Sequence, residues 1–263
     1  MIMKRNKNRN VKIIFPSTIT TFAMIFGFIA ILLANNHQFI KAAYMVMIAI
    51  LMDGLDGKVA RFTNTASEFG IQYDSLSDLV AFGVAPCVIY ARFYLHEQVN
   101  DQVYYLLPIM FLVCGAIRLA RFNVTASIYG KTHFTGLPIP AAAFMVVSGP
   151  LFFDWANRYP LFEDWGYSPA ISKENMFQIS IVVLIALSLS MISTLKFDTP
   201  GGFWLRKFKY KPLNYVVLLL CLSINLISFA LFAVVISLYY LLAMYSRSFY
   251  EKVRKTENVV PAV

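Results

Sequence analysis

Four aspartates lie between two strongly apolar runs of this sequence, and their residue type and spacing could support chemistry. They belong to the stretch DGLDGKVARFTNTASEFGIQYDSLSD, residues 53–78, which follows KAAYMVMIAILM and precedes LVAFGVAPCVIYARF. Charged side chains are costly inside a bilayer, so carboxylates within membrane helices usually mark a functional site. The stretch therefore indicates an acidic centre, provided that the helices bring the four carboxylates together.

Helical periodicity places these carboxylates on two faces that can meet. The first face carries Asp53, Asp56, Gly57 and Ala60, and the second carries Gly70, Asp74 and Asp78. Within each set the residues are three or four positions apart, which is the spacing of one helical face. A short turn near Asn64 would make the two helices antiparallel neighbours, so the carboxylates should lie at similar depth. The small residues between them would let a ligand or a neighbouring backbone come close.

Clustered carboxylates predict a divalent-cation site. Four of them cannot all stay ionised without a positive partner. Oxygen ligands favour Mg²⁺, Mn²⁺ or Ca²⁺ over zinc, and Mg²⁺ held in this way usually also coordinates a substrate phosphate. Two such ions could clamp the attacking and leaving oxygens of an in-line phosphoryl displacement. Arg61 is placed to pair with a phosphate or to balance an aspartate. The alternative is a cation- or proton-coupled transporter, but the sequence shows no inverted repeat or broken helix of the kind that transporters often have.

The composition identifies a membrane protein. The 263 residues are 59% hydrophobic and only 14% charged, whereas a soluble domain usually carries about 25% charged residues. Several apolar runs approach the roughly 20 residues that a helix needs to cross the hydrocarbon layer. The net charge of +9 comes from basic residues at the ends of these runs, which indicates membrane topology and anionic lipid rather than nucleic acid. The predicted fold class is an all-α membrane helix bundle that forms a single domain over residues 1–263.

About eight membrane helices are predicted. They cover about 16–34, 39–62, 66–94, 102–122, 138–153 and 176–195, with two more in 212–246 split near 223–225. Thr65 and Glu68 would form a capping box at the start of the third helix. Basic clusters in the N-terminal segment, in 196–211 and in the tail would all be cytoplasmic, as would both termini. The predicted catalytic helices are those within 16–195.

The aspartate stretch resembles the signature of the CDP-alcohol phosphatidyltransferase family, D-x-x-D-G-x-x-A-R, eight residues, then G-x-x-x-D-x-x-x-D. Every fixed position is present: Asp53, Asp56, Gly57, Ala60, Arg61, Gly70, Asp74 and Asp78. This family transfers a phosphatidyl-type group from a CDP-linked lipid to a small alcohol and releases CMP. The resemblance implies that Asp53, Asp56 and Asp74 hold metal, and that Asp78 shares the second ion and acts as general base.

The same resemblance implies further partners and contacts. Two Mg²⁺ or Mn²⁺ ions, CDP-diacylglycerol and a homodimer in the cell membrane are expected, with the active site open to the cytoplasm. Residues 53–61, together with Gly70, would bind the cytidine diphosphate of the lipid. The family often begins its first helix with a P-N-x-x-T-like stretch. Here it reads PSTITT, residues 16–21, so Thr20 matches as a ligand contact while Ser17 replaces the usual asparagine.

Two more stretches concern the acceptor alcohol. RLARFN, residues 118–123, and FTGLPIPAAA, residues 134–143, resemble the membrane-type phosphatidylserine synthase branch of the family, which implies L-serine. Arg118, Arg121 and Lys131 could bind the serine carboxylate or a lipid phosphate at the cytoplasmic rim, because a guanidinium can hold two oxygens at once. They could instead fix the membrane topology, as basic residues at cytoplasmic helix ends do. Glycerol 3-phosphate or an inositol phosphate is the alternative acceptor.

Overall fold

The computed structural model describes residues 7–63, 67–95, 101–129, 134–158, 173–194 and 196–197, with Leu242, Tyr245 and Ser246. Its helices are α1 (Lys7–Asn35), α2 (Phe39–Phe62), α3 (Glu68–Asp78), α4 (Ala85–Tyr90), α5 (Asp101–Tyr129), α6 (Ile139–Arg158) and α7 (Lys173–Ile192). Two π-helical segments, Leu79–Val84 and Ala91–Leu95, follow α3 and α4 without a break. Residues Glu68–Leu95 therefore form one continuous helix, called the third span below.

The described residues are helical apart from one short bridge. β1 (Phe134–Thr135) pairs antiparallel with β2 (Lys196–Phe197), with Phe134 opposite Phe197. For the described residues, the predicted all-α fold class is therefore confirmed. The two helices predicted within 212–246 lie outside the described residues, except for Leu242, Tyr245 and Ser246.

Four described helices are long and apolar enough to cross a membrane. They are Ser17–Asn35, Glu68–Leu95, Tyr104–Val124 and Ile139–Arg158, and Met176–Ile192 is a shorter apolar helix. Length and composition therefore indicate a multi-pass membrane protein. The predicted total of eight spans and the cytoplasmic termini stay predictions.

Two local features differ from the sequence-based expectations. Ser67, not Thr65, caps the third span: its backbone is extended, and its hydroxyl accepts a hydrogen bond from the Gly70 amide at 3.1 Å. The predicted capping box is wrong, because Ser67 already occupies the capping position and Gly70 the third helical position. The fourth predicted helix also continues to Tyr129, beyond the end expected at about residue 122.

α1 is the helix that holds the site together. It packs extensively against α2, and both helices carry alanines that are almost fully buried: Ala23, Ala30 and Ala34 on α1 and Ala42, Ala43 and Ala49 on α2. Small side chains allow such close helix approach in membrane proteins. Gly27 lies on the same face of α1 as these alanines, and a Cβ added there would lie 2.5 Å from the Ala81 Cα of the third span.

As a result, α2 and α3 pack mainly against α1 rather than against each other. The aspartate-bearing faces are thus held opposite one another without intimate backbone packing between them. This arrangement leaves the side chains, rather than the helix backbones, to meet in the space between α2 and α3.

Candidate active site

Four aspartate side chains converge between α2 and the third span. Asp53, Asp56 and Asp74 each offer one carboxylate oxygen, and these oxygens lie within 4.8 Å of one another. The Asp78 carboxyl group lies within hydrogen-bonding distance of Asp53 and close enough to Asp74 for their charges to interact. Asp56 and Asp78 are buried, with 5% and 8% of their surface exposed. The four aspartate side chains therefore come together, as helical periodicity predicted.

Thr20 on α1 fixes one member of this cluster. Its hydroxyl donates a 2.7 Å hydrogen bond to Oδ2 of Asp56. The Thr20 carbonyl in turn accepts a 3.0 Å hydrogen bond from the Ser77 hydroxyl of α3. All three residues are buried, so α1 links the two aspartate-bearing helices through side-chain and backbone hydrogen bonds.

Further polar contacts hold α3 in place, and none of them was expected from the sequence. The hydroxyl groups of Thr21 and Tyr73 lie 2.8 Å apart, and Thr21 also donates to the Ser17 carbonyl. The Asn123 amide of α5 donates to the Ser75 hydroxyl at 2.9 Å. Thr21 directly follows Thr20, and Tyr73 and Ser75 flank Asp74. Such neighbours are a weak signal in one sequence, because these contacts join different helices.

Arg118 lies inside the site rather than at its rim. It is only 6% exposed, and its positive charge interacts with Asp53 and Asp78. Its guanidinium also lies 5.5 Å from the centre of the Phe122 ring, which is within the range of a cation–π contact. The predicted position at the rim is wrong for this residue, because the turn of α5 directs its side chain towards the acidic cluster.

Arg121 occupies a different environment, although it is only one helical turn away. Its guanidinium donates to the backbone carbonyls of Met191, Ile192 and Ser193 at 2.8–3.2 Å. Those carbonyls terminate α7, where an arginine satisfies groups that lack partners within the helix. The role of Arg121 in serine binding stays a prediction, and its observed hydrogen bonds tie α5 to α7.

The segment before α6 packs against the same end of α7. Gly136 has a positive φ of 82°, and an added Cβ would clash with the Met191 carbonyl. The Leu137 amide donates to the Ser190 carbonyl at 3.0 Å. The GLPIP motif is therefore used here to join α6 to α7, and the backbone conformation at its first residue favours glycine.

The remaining predicted site residues are only partly described. Gly57 lies half-buried on α2, three residues before Ala60. A Cβ at Gly70 would lie 3.2 Å from the Ser67 hydroxyl, so this glycine fits against the helix cap. Ala60 and Arg61 lie in the last turns of α2, and their side chains are outside the described part. Lys131 lies wholly outside it.

The donor set fits a hard divalent cation. The converging ligand atoms of the cluster are carboxylate oxygens from two helices, which are the ligands that Mg²⁺ and Mn²⁺ prefer. Thr20 donates to one oxygen of Asp56, and a carboxylate has enough acceptor sites to accept this bond and also bind a cation. Such a hydrogen bond orients the carboxylate in the manner of other metal-site ligands.

Comparisons with known proteins show which sequences this chain resembles. Residues 13–192 match the sequence model described as CDP-alcohol phosphatidyltransferase. A CDP-diacylglycerol–serine O-phosphatidyltransferase of Helicobacter pylori (strain 26695) is 36% identical, and the alignment covers 80% of this chain and 81% of the relative. One of Methanocaldococcus jannaschii is 33% identical over 78% and 81% of the two chains. An archaetidylserine synthase of Methanothermobacter thermautotrophicus is 32% identical over 76% of each.

The family match covers more than half of the chain, and it includes all four aspartates as well as Thr20 and Arg118. The chain is therefore a member of the CDP-alcohol phosphatidyltransferase family.

Proposed function

We propose that this chain transfers the phosphatidyl group of CDP-diacylglycerol to the hydroxyl of L-serine, forming phosphatidylserine and CMP. The observation that carries this proposal is the cluster of four aspartates, with three carboxylate oxygens within 4.8 Å of one another. The acceptor is taken from the relatives named as serine transferases, which align over four fifths of this chain.

In this reaction the serine oxygen attacks the phosphorus that carries the diacylglycerol. A bond forms between that oxygen and the phosphorus, and the bond from phosphorus to the CMP oxygen breaks. Asp78 accepts the hydroxyl proton, since an alcohol is a poor nucleophile near neutral pH and a nearby carboxylate assists its deprotonation. The electron pair of the broken bond leaves on CMP, so no further reactant is needed.

Asp53, Asp56 and Asp74 would hold Mg²⁺ or Mn²⁺, and Asp78 would share a second ion. When bound, the ions supply positive charge to the diphosphate and orient the attacking and leaving oxygens. Thr20 keeps one Asp56 oxygen engaged and so sets the direction of that carboxylate. Arg118 offsets part of the negative charge at Asp53 and Asp78.

Substrate positions follow from the packing of the helices. Residues 53–61, including Gly57, Ala60 and Arg61, would bind the cytidine diphosphate, with Gly70 on the opposite helix. The limited packing between α2 and α3 supports a nucleotide between them. Arg118 is placed to bind the serine carboxylate or a lipid phosphate, and Arg121 supports the same region by holding α7.

The proposed setting is the cell membrane, with the chain as a multi-pass homodimer. Both termini would be cytoplasmic, and the aspartate end of the bundle would open to the cytoplasm. The basic N-terminal segment and tail support this orientation by the positive-inside rule. The lipid chains of the substrate would then stay in the bilayer while its nucleotide enters from the aqueous side.

The test uses purified protein with CDP-diacylglycerol, isotope-labelled serine and either Mg²⁺ or Mn²⁺, with products identified by mass spectrometry. We expect labelled phosphatidylserine and an equal amount of CMP, both dependent on the metal. Glycerol 3-phosphate and an inositol phosphate are supplied in competition with serine. Preferred formation of another phospholipid would overturn the serine assignment, and absence of metal-dependent CMP release would overturn the transferase assignment.

A further inference from the structure

A large cavity lies at the end of the bundle opposite to the aspartates. Its volume is about 710 Å³, and it forms where α2 begins and where the third span and α6 end. Its described lining includes Lys41, Arg92 and Arg158 together with the aromatic rings of Phe39, Phe93 and Phe153. These cations and aromatic rings are not used by the proposed reaction, because the aspartates lie at the other end of α2.

The cavity favours an anion. Asp154 is the acidic side chain among its described lining residues, and it pairs with Arg158 at 3.0 Å. Arg92 donates to the Asn35 side chain at 2.7 Å, which holds its guanidinium at the cavity. The first turn of α2 also lines the cavity, and the amides of a first helical turn lack acceptors within their own helix. These amides and the helix dipole add to the attraction for negative charge.

An apolar groove continues from this cavity. Its volume is about 350 Å³, and Tyr94 and Met176 line both spaces. The groove runs between α6, α7 and the third span, with Val146 and Leu184 among its lining residues. Ile179, which also lines it, is 60% exposed, so the groove opens on the outer surface of the bundle. The cavity, lined by cations, suits the anionic headgroup of an amphiphile, and the adjoining apolar groove suits its hydrocarbon chain.

The depth of the cations fits a lipid headgroup. Arg92 lies in the last turn of the third span, Arg158 ends α6, and Lys41 is in the first turn of α2. All three are thus within about 5 Å of a helix end, by the rise of a helix per residue. On the proposed orientation this is the non-cytoplasmic end, where positive charge is usually sparse.

We infer that this cavity and groove bind an anionic phospholipid. The phosphate of its headgroup lies against Lys41, Arg92 and the first turn of α2. One acyl chain lies in the groove between α6 and α7. The site is separate from the aspartate cluster and does not require that the transfer reaction be correctly assigned.

The test measures lipid binding to the full chain rather than catalysis. Purified protein in phosphatidylcholine nanodiscs is titrated with phosphatidylglycerol, and retained lipid is counted by native mass spectrometry after release. We expect phosphatidylglycerol to bind about tenfold more tightly than phosphatidylcholine, and R92Q and K41Q each to remove about tenfold of that affinity, as loss of a charged hydrogen bond would. K41Q changes an exposed side chain, so it tests the site without disturbing the core.

Matched controls separate this site from general charge effects. R92K keeps the charge and should retain most of the affinity. Val183 lines the groove, so V183W should fill it and weaken phosphatidylglycerol binding while leaving the weak binding of inorganic phosphate unchanged. Equal phosphatidylglycerol affinity in the parent, R92Q and K41Q would overturn the inference. Inorganic phosphate that binds as tightly as the lipid would also overturn it, since the groove would then contribute nothing.

Discussion

The hydrogen bond from Thr20 to Asp56 offers a direct test of how the cluster is organised. At 2.7 Å between two buried residues, it joins α1 to a predicted metal ligand. Replacing Thr20 with valine keeps the shape of the side chain and removes the donor. Hydrogen bonds to charged groups contribute about 1.5–3 kcal/mol, and loss of the partner that orients a metal ligand typically lowers metal affinity about 10- to 100-fold.

We therefore expect T20V to need about 10- to 100-fold more Mn²⁺ for half-maximal activity. Direct binding of Mn²⁺, followed by electron paramagnetic resonance, should weaken by the same factor. T20S restores the donor and should recover most of the affinity. These readouts make Thr20 a positioning residue that acts through Asp56, and they distinguish that role from general stabilisation.

The neighbouring threonine is the matched control. Thr21 contacts Tyr73 and the Ser17 carbonyl rather than Asp56, so T21V removes an equivalent hydroxyl from the same helix. Its Mn²⁺ requirement should stay near that of the parent protein. If T20V and T21V shift the Mn²⁺ requirement equally, or if neither does, the reasoning from the Asp56 contact is refuted.

Five other changes have expected outcomes. D78N should lower turnover about 10²- to 10⁴-fold while CDP-diacylglycerol binding, measured by equilibrium titration, is largely kept; normal turnover would remove Asp78 as the base. R121Q should reduce the free energy of unfolding by about 1–3 kcal/mol, measured by thermal unfolding, because the carbonyls at the end of α7 lose their hydrogen-bond donor. R118Q should mainly reduce kcat/KM. The reverse pattern would contradict the environments assigned to the two arginines. Removal of divalent metal with a chelator should abolish CMP release, and Mg²⁺ or Mn²⁺ should restore it; activity that survives the chelator would contradict the metal assignment. G27V should destabilise the protein by about 1–3 kcal/mol, because its side chain would meet Ala81; an unchanged melting temperature would mean that α1 and the third span are less closely packed.

Local sequence was enough to place α2 and the four carboxylates. The second helix was predicted at 39–62 and is found at Phe39–Phe62, because a long apolar run in lipid has to satisfy its backbone internally as a helix. The faces of Asp53 with Asp56, and of Asp74 with Asp78, follow from the helical repeat alone. A cluster of charged residues within an apolar sequence also indicates a functional site, since placing charges in a membrane has a large free-energy cost.

Tertiary structure decided what each of the two nearby arginines does. Arg118 and Arg121 are three residues apart and were expected to share the rim, yet one faces the acidic cluster and the other caps α7. Thr20 reaches Asp56 across 36 residues of sequence. The spacing of residues on one helix fixes which of them share a face, but the partner of each face depends on how separate helices pack. Here α1 packs against both acidic helices, with buried alanines on α1 and α2 and with Gly27 against Ala81 of the third span.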